Sequence, residues 1–345
     1  MFDDVDFSIV TNPDILDETY IPPNIQSRGE QINDIAFCMS PATKNRRPWH
    51  LWIHGNPGVG KTSTVRYILR ALEKAGVNGF YVNCWSENTL YSILDRITSE
   101  MRLFRADAQS SVVKLKKIEG SLKNQSIVIV LDEIDKPLPK DMNTMIYSLC
   151  GISKSGLICI CNSREAYHDL DDRVRSRLNP KFIGFEPYSA NDLVEILNQR
   201  AVLGLAPGTW SKTLFENIAR LSEGDARVAI QTLKNAAYHA ETGTGRKITS
   251  EHVMKGYSRA KRLKKTYRLD KLTPHHKILY DAIRENPSIL SGGLWAEYTQ
   301  RCGKKKIKPI ARRTYTHYII GLTETGLIKA ERATVKGRVR SFRVV

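Results

Sequence analysis

Residues 55 to 62, Gly-Asn-Pro-Gly-Val-Gly-Lys-Thr, narrow the possible folds more than any other stretch, because they fit the phosphate-loop pattern G-x-x-x-x-G-K-[ST] at every specified position. The pattern demands a strand before it and a helix after it. The apolar run Leu51 to Ile53 supplies the first, and the spacing of Val65, Ile68, Leu69 and Leu72 predicts the second from Lys61 onward. In such a turn Gly55, Gly58 and Gly60 let the backbone curl until its N–H groups and the helix start face a phosphate. Asn56, Pro57 and Val59 complete the curl, Lys61 reaches the β- and γ-phosphates, Thr62 ligates Mg²⁺ and Ser63 follows in the first turn. By itself such a loop implies a bound nucleoside triphosphate with Mg²⁺.

A second chemical signal lies downstream. Ser126 to Leu131 is a continuous apolar run, as in a parallel strand covered on both faces, and it ends in Asp132-Glu133-Ile134-Asp135. Carboxylates at the carboxyl end of such a strand fall where α/β sheets bind ligands. Asp132 is placed to hold Mg²⁺, and Glu133 to orient and deprotonate an attacking water. The next apolar run, Gly156 to Cys161, ends in Asn162, which reads either as a turn residue or as a hydrogen-bonding partner of the water or γ-phosphate. Arg173, Arg175 and Arg177 crowd beside Asp171 and Asp172, a pattern equally expected of a surface ion-pair cluster. With strands also expected at Phe80–Cys84 and Phe182–Phe185 and a helix over Asn88–Met101, the fold class is α/β, a largely parallel sheet with flanking helices.

From Ser189 to about Ala260 the strands stop, and four helical segments are expected at Asn191–Val202, Lys212–Leu221, Ala226–Ala240 and Glu251–Ala260. Arg227 sits in the first turn of the third, an unfavourable end for a cation unless an anion is near. Residues 261 to 272 read as a basic linker. Thr273-Pro274 caps a further helix that buries Ile278, Leu279 and Ile283, and helices follow at Leu294–Arg301 and Arg312–Thr325. A hairpin around Lys336-Gly337 closes the chain. Three helices and a hairpin make a winged helix-turn-helix. Its third helix offers Arg312, Arg313, Thr314, Tyr315 and His317 to bases or phosphates, the preceding turn offers Lys304, Lys305, Lys306 and Lys308, and the hairpin offers Lys336, Arg338 and Arg340.

Charge supports that reading through its location. The formal net charge is +17, yet residues 1 to 258 carry 31 Lys+Arg against 30 Asp+Glu, and residues 259 to 345 carry 22 against 6. Almost the whole excess lies in the last quarter, as expected of a polyanion partner and of nucleic acid above all, which the winged helix narrows to double-stranded DNA. No apolar run approaches the ~20 residues of a membrane helix, and the acidic start (Asp3, Asp4, Asp6) is unlike a signal peptide. No membrane partner is expected, and the expected location is cytoplasmic and nucleoid-associated. Six cysteines without a C-x-x-C pair indicate neither a zinc ribbon nor a disulfide framework.

Taken in order, the motifs resemble those of archaeal replication initiators of the origin-recognition and Cdc type, a branch of the AAA+ ATPases. The residues that carry the resemblance are Tyr20-Ile-Pro and Arg28, Gly55 to Thr62, Tyr81-Val-Asn-Cys84, Leu131-Asp-Glu-Ile-Asp135, Asn162, Arg173-Val-Arg-Ser-Arg-Leu178, Phe185-Glu-Pro-Tyr188 and Gly224-Asp-Ala-Arg227. The resemblance implies an AAA+ core over residues 1–187, a helical lid over 188–262 and a DNA-binding winged helix over 263–345. It implies that Tyr20 and Arg28 border the adenine, that Asn162 and Arg227 are the first and second sensors, and that Arg177 is the finger extended to a neighbouring subunit, with Arg173 and Arg175 as competitors. It further implies an initiator-specific insertion near residues 102 to 111, here without the proline and glycine of the family pattern. The function so implied is slow, switch-like hydrolysis of ATP to ADP by an origin-binding initiator that helps recruit the replicative helicase and works with other initiator subunits. The alternatives are an ATP-switched DNA-binding regulator or plasmid-maintenance protein, and a clamp-loader subunit, which would end in a helical collar.

Overall fold

Short apolar strands separated by helices can pair in parallel, because each intervening helix returns the chain to the same edge of the sheet. In the computed structural model, whose described residues are 8–103, 109–243, 246–270, 272–324, 326–332 and 340–344, five strands do so. They are β1 (Leu51–Gly55), β2 (Asn78–Asn83), β3 (Ile127–Asp132), β4 (Ser155–Cys161) and β5 (Lys181–Phe185), in the order β2-β3-β4-β1-β5. Helices α1 (Gly29–Met39), α2 (Lys61–Lys74), α3 (Leu90–Glu100), α4 (Ser111–Leu122), α5 (Pro139–Leu149) and α6 (Asp172–Leu178) belong to this layer. Alternate strand residues feed two cores. Trp52, Ile129, Leu131 and Cys159 pack with α3 and α5 through Ile93, Ile97, Met145 and Leu149; Leu51, Ile53, Val128, Val130 and Ile160 pack with α1 and α2 through Ile35, Val65, Ile68 and Leu69. Both faces of β3 and β4 are covered, as their unbroken apolar runs require. Because β4 lies between β1 and β3, the chain leaves the sheet at Gly55, Cys161 and Asp132 on one edge, side by side.

The next helices, α7 (Ala190–Gly204), α8 (Lys212–Ser222), α9 (Ala226–Glu241) and α10 (Ser250–Asp270), begin a helical lid. Its core joins Leu193, Leu197, Phe215, Ile218, Leu233 and Ala236 to Ile9, Val10 and Leu16 from the start of the chain. These first apolar residues fall within the expected 1–187 domain by sequence, yet they pack in the lid. Val10 bridges Leu205, and the buried Arg200 guanidinium donates to the carbonyls of Ile15, Asp17 and Tyr20. The expected basic linker over 261–272 is helical as far as Asp270, because α10 runs through to that residue. Lysine, arginine, leucine and tyrosine sustain a helix, and no glycine or proline intervenes between Gly256 and Pro274. Two compact units part at 257/258, inside α10.

The second unit contains α11 (Pro274–Glu285), β6 (Ile289–Leu290), α12 (Ser291–Lys304), α13 (Arg312–Glu324), β7 (Ile328–Arg332) and β8 (Arg340–Val344), with an antiparallel sheet ordered β6-β8-β7. This is a winged helix-turn-helix, not a helical collar. The Thr273 hydroxyl accepts from His276 N to cap α11, with Pro274 in its first turn. Ile278, Leu279, Ile283, Leu294, Tyr298, Ile319, Leu322 and Phe342 form its core. Lys336 and Arg338, expected on the hairpin, lie outside the described residues, as does much of the stretch matched to the initiator-specific insertion. Among the described residues no helix is long and apolar enough to cross a membrane.

Candidate functional site

The loop after β1 has the geometry its glycines require. Gly58 and Gly60 have φ of +85° and +87°, and a Cβ on Gly60 would lie 2.3 Å from the Tyr188 hydroxyl. Helix α2 starts from Gly60 with no side-chain cap, whereas α3, α7, α9 and α11 each have one. As at α1, α5, α6, α8 and α12, no side chain caps its first N–H groups, and here they follow directly on the glycine loop. Lys61, 7% exposed, donates to the carbonyls of Gly55 at 2.6 Å and Asn56 at 3.0 Å, and reaches Asn162 Oδ1 at 3.4 Å. Burial pushes the Lys61 ammonium down to about 8, against the pull of Asp132 in the other direction. A buried ammonium at an uncapped helix start fits a polyphosphate. Asn56 and Pro57 are exposed on the rim, Val59 is buried beneath it, and Ser63 is half-buried in the first turn of α2.

Across the loop, Thr62 Oγ1 donates to Asp132 Oδ2 at 2.8 Å, and Asp132 Oδ1 accepts from Glu133 N at 2.9 Å. Register and strand order thus bring together the two residues expected at a metal. Their hard oxygens suit Mg²⁺, which binds through one or two protein groups plus substrate phosphates. Glu133, half-buried, follows directly with φ of +54°. This left-handed turn swings the chain off the strand end.

The lid meets the loop directly. Ala226 N donates to Gly58 O at 3.0 Å, so α9 begins on the phosphate loop, and the Asp225 carboxylate occupies the space that a Cβ on Gly58 would need. The same carboxylate caps α9 through Arg227 N and Val228 N. Arg227 is therefore held beside the site, and its charge is felt at Lys61. Its side chain, 49% exposed, pairs with Glu18 at 3.3 Å. Arg28, expected beside the base, is buried: it donates to Val59 O at 3.2 Å and Glu186 O at 2.7 Å and stacks over the Tyr188 ring at 3.9 Å. It ties the loop to the end of β5. Tyr20 is half-buried against Arg200, whose guanidinium lies 4.8 Å from the ring centre.

Of the three clustered arginines, Arg175 pairs with Asp172, Arg173 is exposed, and Arg177 is exposed while stacking over Tyr147 at 4.3 Å. In the second unit Lys304, Lys305, Lys306, Lys308, Arg313, Thr314, His317 and Arg340 are exposed, and Arg312 lies over the Trp295 ring at 4.4 Å. Tyr315 departs from the expectation. It is 8% exposed, meets Trp295 edge-on at 4.8 Å, and shares the buried face of α13 with Ile319 and Leu322. It supports the helix from within the core instead of facing outward.

Two residues of the site escaped sequence reasoning. Tyr81 donates to Asp132 Oδ2 at 2.7 Å, and Glu18 pairs with Arg227. For Tyr81 the signal was strand alternation opposite β3; for Glu18 no sequence signal exists.

Residues 45–166 match the model of the AAA domain, and residues 194–258 match that of the Cdc6 AAA+ ATPase-type lid domain. The chain is 32% identical to the ORC1-type DNA replication protein 1 of Halobacterium salinarum, over 88% of this chain and 100% of that protein. It is 30% identical to the ORC1-type DNA replication protein of Thermococcus kodakarensis, over 96% of this chain and 86% of that one. Among solved structures, the Aeropyrum pernix ORC1 protein in complex with DNA superposes with a TM-score of 0.79 at 25% identity, covering 98% of this chain and 94% of that one. The ORC2 protein of the same organism, solved as ADPNP-ADP complexes, has the same fold, with a TM-score of 0.68 at 23% identity and the same coverage.

Proposed function

This chain belongs to the ORC1-type DNA replication proteins, with an AAA+ ATPase core, and from that premise we propose that it is an ATP-switched initiator that grips duplex DNA at a replication origin. The observation that carries the reading is the seat of α9 on the phosphate loop through Ala226 N and Gly58 O, at 3.0 Å. A lid helix that starts on the loop senses whatever fills it. Lys61 and the open start of α2 bind the phosphates, Thr62 and Asp132 hold Mg²⁺, and Tyr20 and the Arg28 region border the base. Mg²⁺ supplies charge neutralisation of the β- and γ-oxygens when bound. Glu133 takes the proton of the attacking water, Asn162 orients it, and Arg227 leaves Glu18 for the γ-phosphate.

In this reading Arg177 serves the site of a neighbouring subunit, so a lone copy hydrolyses ATP slowly: such arginines contribute about 10³- to 10⁵-fold where measured. ATP acts as a switch more than as fuel. Lys304, Lys305, Lys306, Lys308, Arg312, Arg313, Thr314, His317 and Arg340, with Lys336 and Arg338, contact duplex DNA. The net excess of 22 Lys+Arg over 6 Asp+Glu from residue 259 onward supports this. The A. pernix relative is itself described in complex with DNA. Recruitment of the replicative helicase and further initiator subunits completes the proposal. Mapping the genomic sites bound by the chain tests it: enrichment at one or a few replication origins is expected, and enrichment at promoters alone would favour a transcriptional regulator.

A further inference from the structure

Thr62 and Arg66 stand one helical turn apart on the same side of α2; Arg66 covers an aromatic ring of the neighbouring strand, and Thr62 bonds the carboxylate that this ring's hydroxyl also bonds. Tyr81 of β2 pairs in register with Val130 of β3, so its ring lies on the α2 side of the sheet. Its hydroxyl donates to Asp132 Oδ2 at 2.7 Å, the oxygen that also accepts from Thr62 Oγ1 at 2.8 Å. Arg66 covers the ring at 4.3 Å from its centre. Asp132, 4% exposed, thus accepts two hydroxyl protons on Oδ2 and a backbone proton from Glu133 on Oδ1. A carboxylate oxygen can only accept here, so Tyr81 serves Asp132 as a donor.

The arrangement divides the labour of two oxygens. Thr62 directs its only proton to Asp132, which leaves its lone pairs as hard ligands for a cation. Without the phenol the carboxylate would keep the Thr62 hydroxyl on Oδ2 and the Glu133 N–H on Oδ1, and Oδ2 would have a single partner to hold it toward Thr62. We propose that Tyr81 is a positioning residue for the metal–nucleotide complex: its hydroxyl fixes the Asp132 carboxylate in the rotamer that orients Thr62, and Arg66 fixes the ring. The inference rests on the reading that Thr62 and Asp132 hold Mg²⁺ beside bound ATP, and it adds Tyr81, bonded to Asp132, and Arg66, stacked on its ring.

The test is a Mg²⁺ titration of the full chain at fixed fluorescent ATP analogue, with nucleotide binding as the readout, beside a titration of the same analogue in chelator. For Tyr81→Phe the expected result is a Mg²⁺ midpoint raised about tenfold, as for other outer partners of metal ligands, with metal-free affinity unchanged. Arg66→Met, which keeps the hydroxyl and loosens the ring, should shift the midpoint in the same direction by less. Thermal unfolding of the nucleotide-free variants checks that both fold. Asp132→Asn separates the two levels: a shifted midpoint there with none in Tyr81→Phe overturns the role of Tyr81, and no shift in Asp132→Asn overturns the metal assignment beneath it. Equal weakening of Tyr81→Phe with and without metal shows a general distortion and also overturns the proposal.

Discussion

Helices α2 and α9 both begin at the phosphate loop, and each carries a cation in its first turn, but the two ends are built differently. The start of α2 has no side-chain cap and a buried lysine whose ammonium is pushed down to about 8 by desolvation. The start of α9 is capped twice by Asp225, and its arginine is half-exposed on the carboxylate of Glu18. The first end is incomplete without an anion. The second is already satisfied, and in the proposed cycle it would exchange one anion for another. Binding should therefore depend on α2 and discrimination between nucleotides on α9.

The sharpest way to break this contrast is at Lys61. Lys61→Ala should weaken both ATP and ADP by about 100-fold or more, since charge-assisted hydrogen bonds at a buried site are lost; isothermal titration reads it directly. The pH dependence comes next. Only the ammonium binds phosphate, and in the empty site it is lost as pH rises through about 8, against 10.5 for an ordinary lysine. ATP affinity should hold below pH 8 and fall up to about tenfold per pH unit above it. Stability of the empty protein should move the opposite way. The penalty of burying the charge is complete below pH 8 and disappears between 8 and 10.5, so melts of the nucleotide-free chain should rise slightly there.

At α9 the effects should be smaller and selective. Arg227→Ala is expected to weaken ATP about five- to twentyfold and ADP less than about twofold, because only the γ-phosphate is sensed. Equal losses for both nucleotides would merge the two helix starts into one function. The smallest effect belongs to Glu18. An exposed ion pair contributes about 0–1 kcal/mol, so Glu18→Gln should tighten ATP by no more than about fivefold at low salt, and not at all in the Arg227→Ala background.

The same contrast explains what could be read before the structure. The α2 site is local: the glycines, Lys61, Thr62 and the acidic end of β3 announce themselves by spacing and by an unbroken apolar strand. The α9 side is assembled from distant pieces. Glu18 lies in a segment without periodicity, and it reaches Arg227 only because Ile9, Val10 and Leu16 join the lid core while Arg200 gathers the carbonyls of Ile15, Asp17 and Tyr20. Arg28 was legible as near the nucleotide loop, but its bonds to Val59 and Glu186 were not, because backbone carbonyls leave no trace in side-chain patterns. In the winged helix, residue type misled where periodicity was available. Tyr315, Ile319 and Leu322 stand at helical spacing on the buried face, and the aromatic ring was assigned to DNA for its chemistry. Charge alone likewise left the conformation of 261–272 open, and a helix continues there to Asp270. The strand β6 spans only two residues, too few to show alternation.

Nucleotide control of the DNA-binding unit is tested most directly by fluorescence anisotropy of the full chain titrated onto labelled duplex, in ATP, in ADP, and with Lys61→Ala. The expected result is that the unsubstituted chain binds duplex with different affinities in ATP and ADP, while Lys61→Ala binds with one affinity in both. Equal affinity of the unsubstituted chain in ATP and ADP would contradict it.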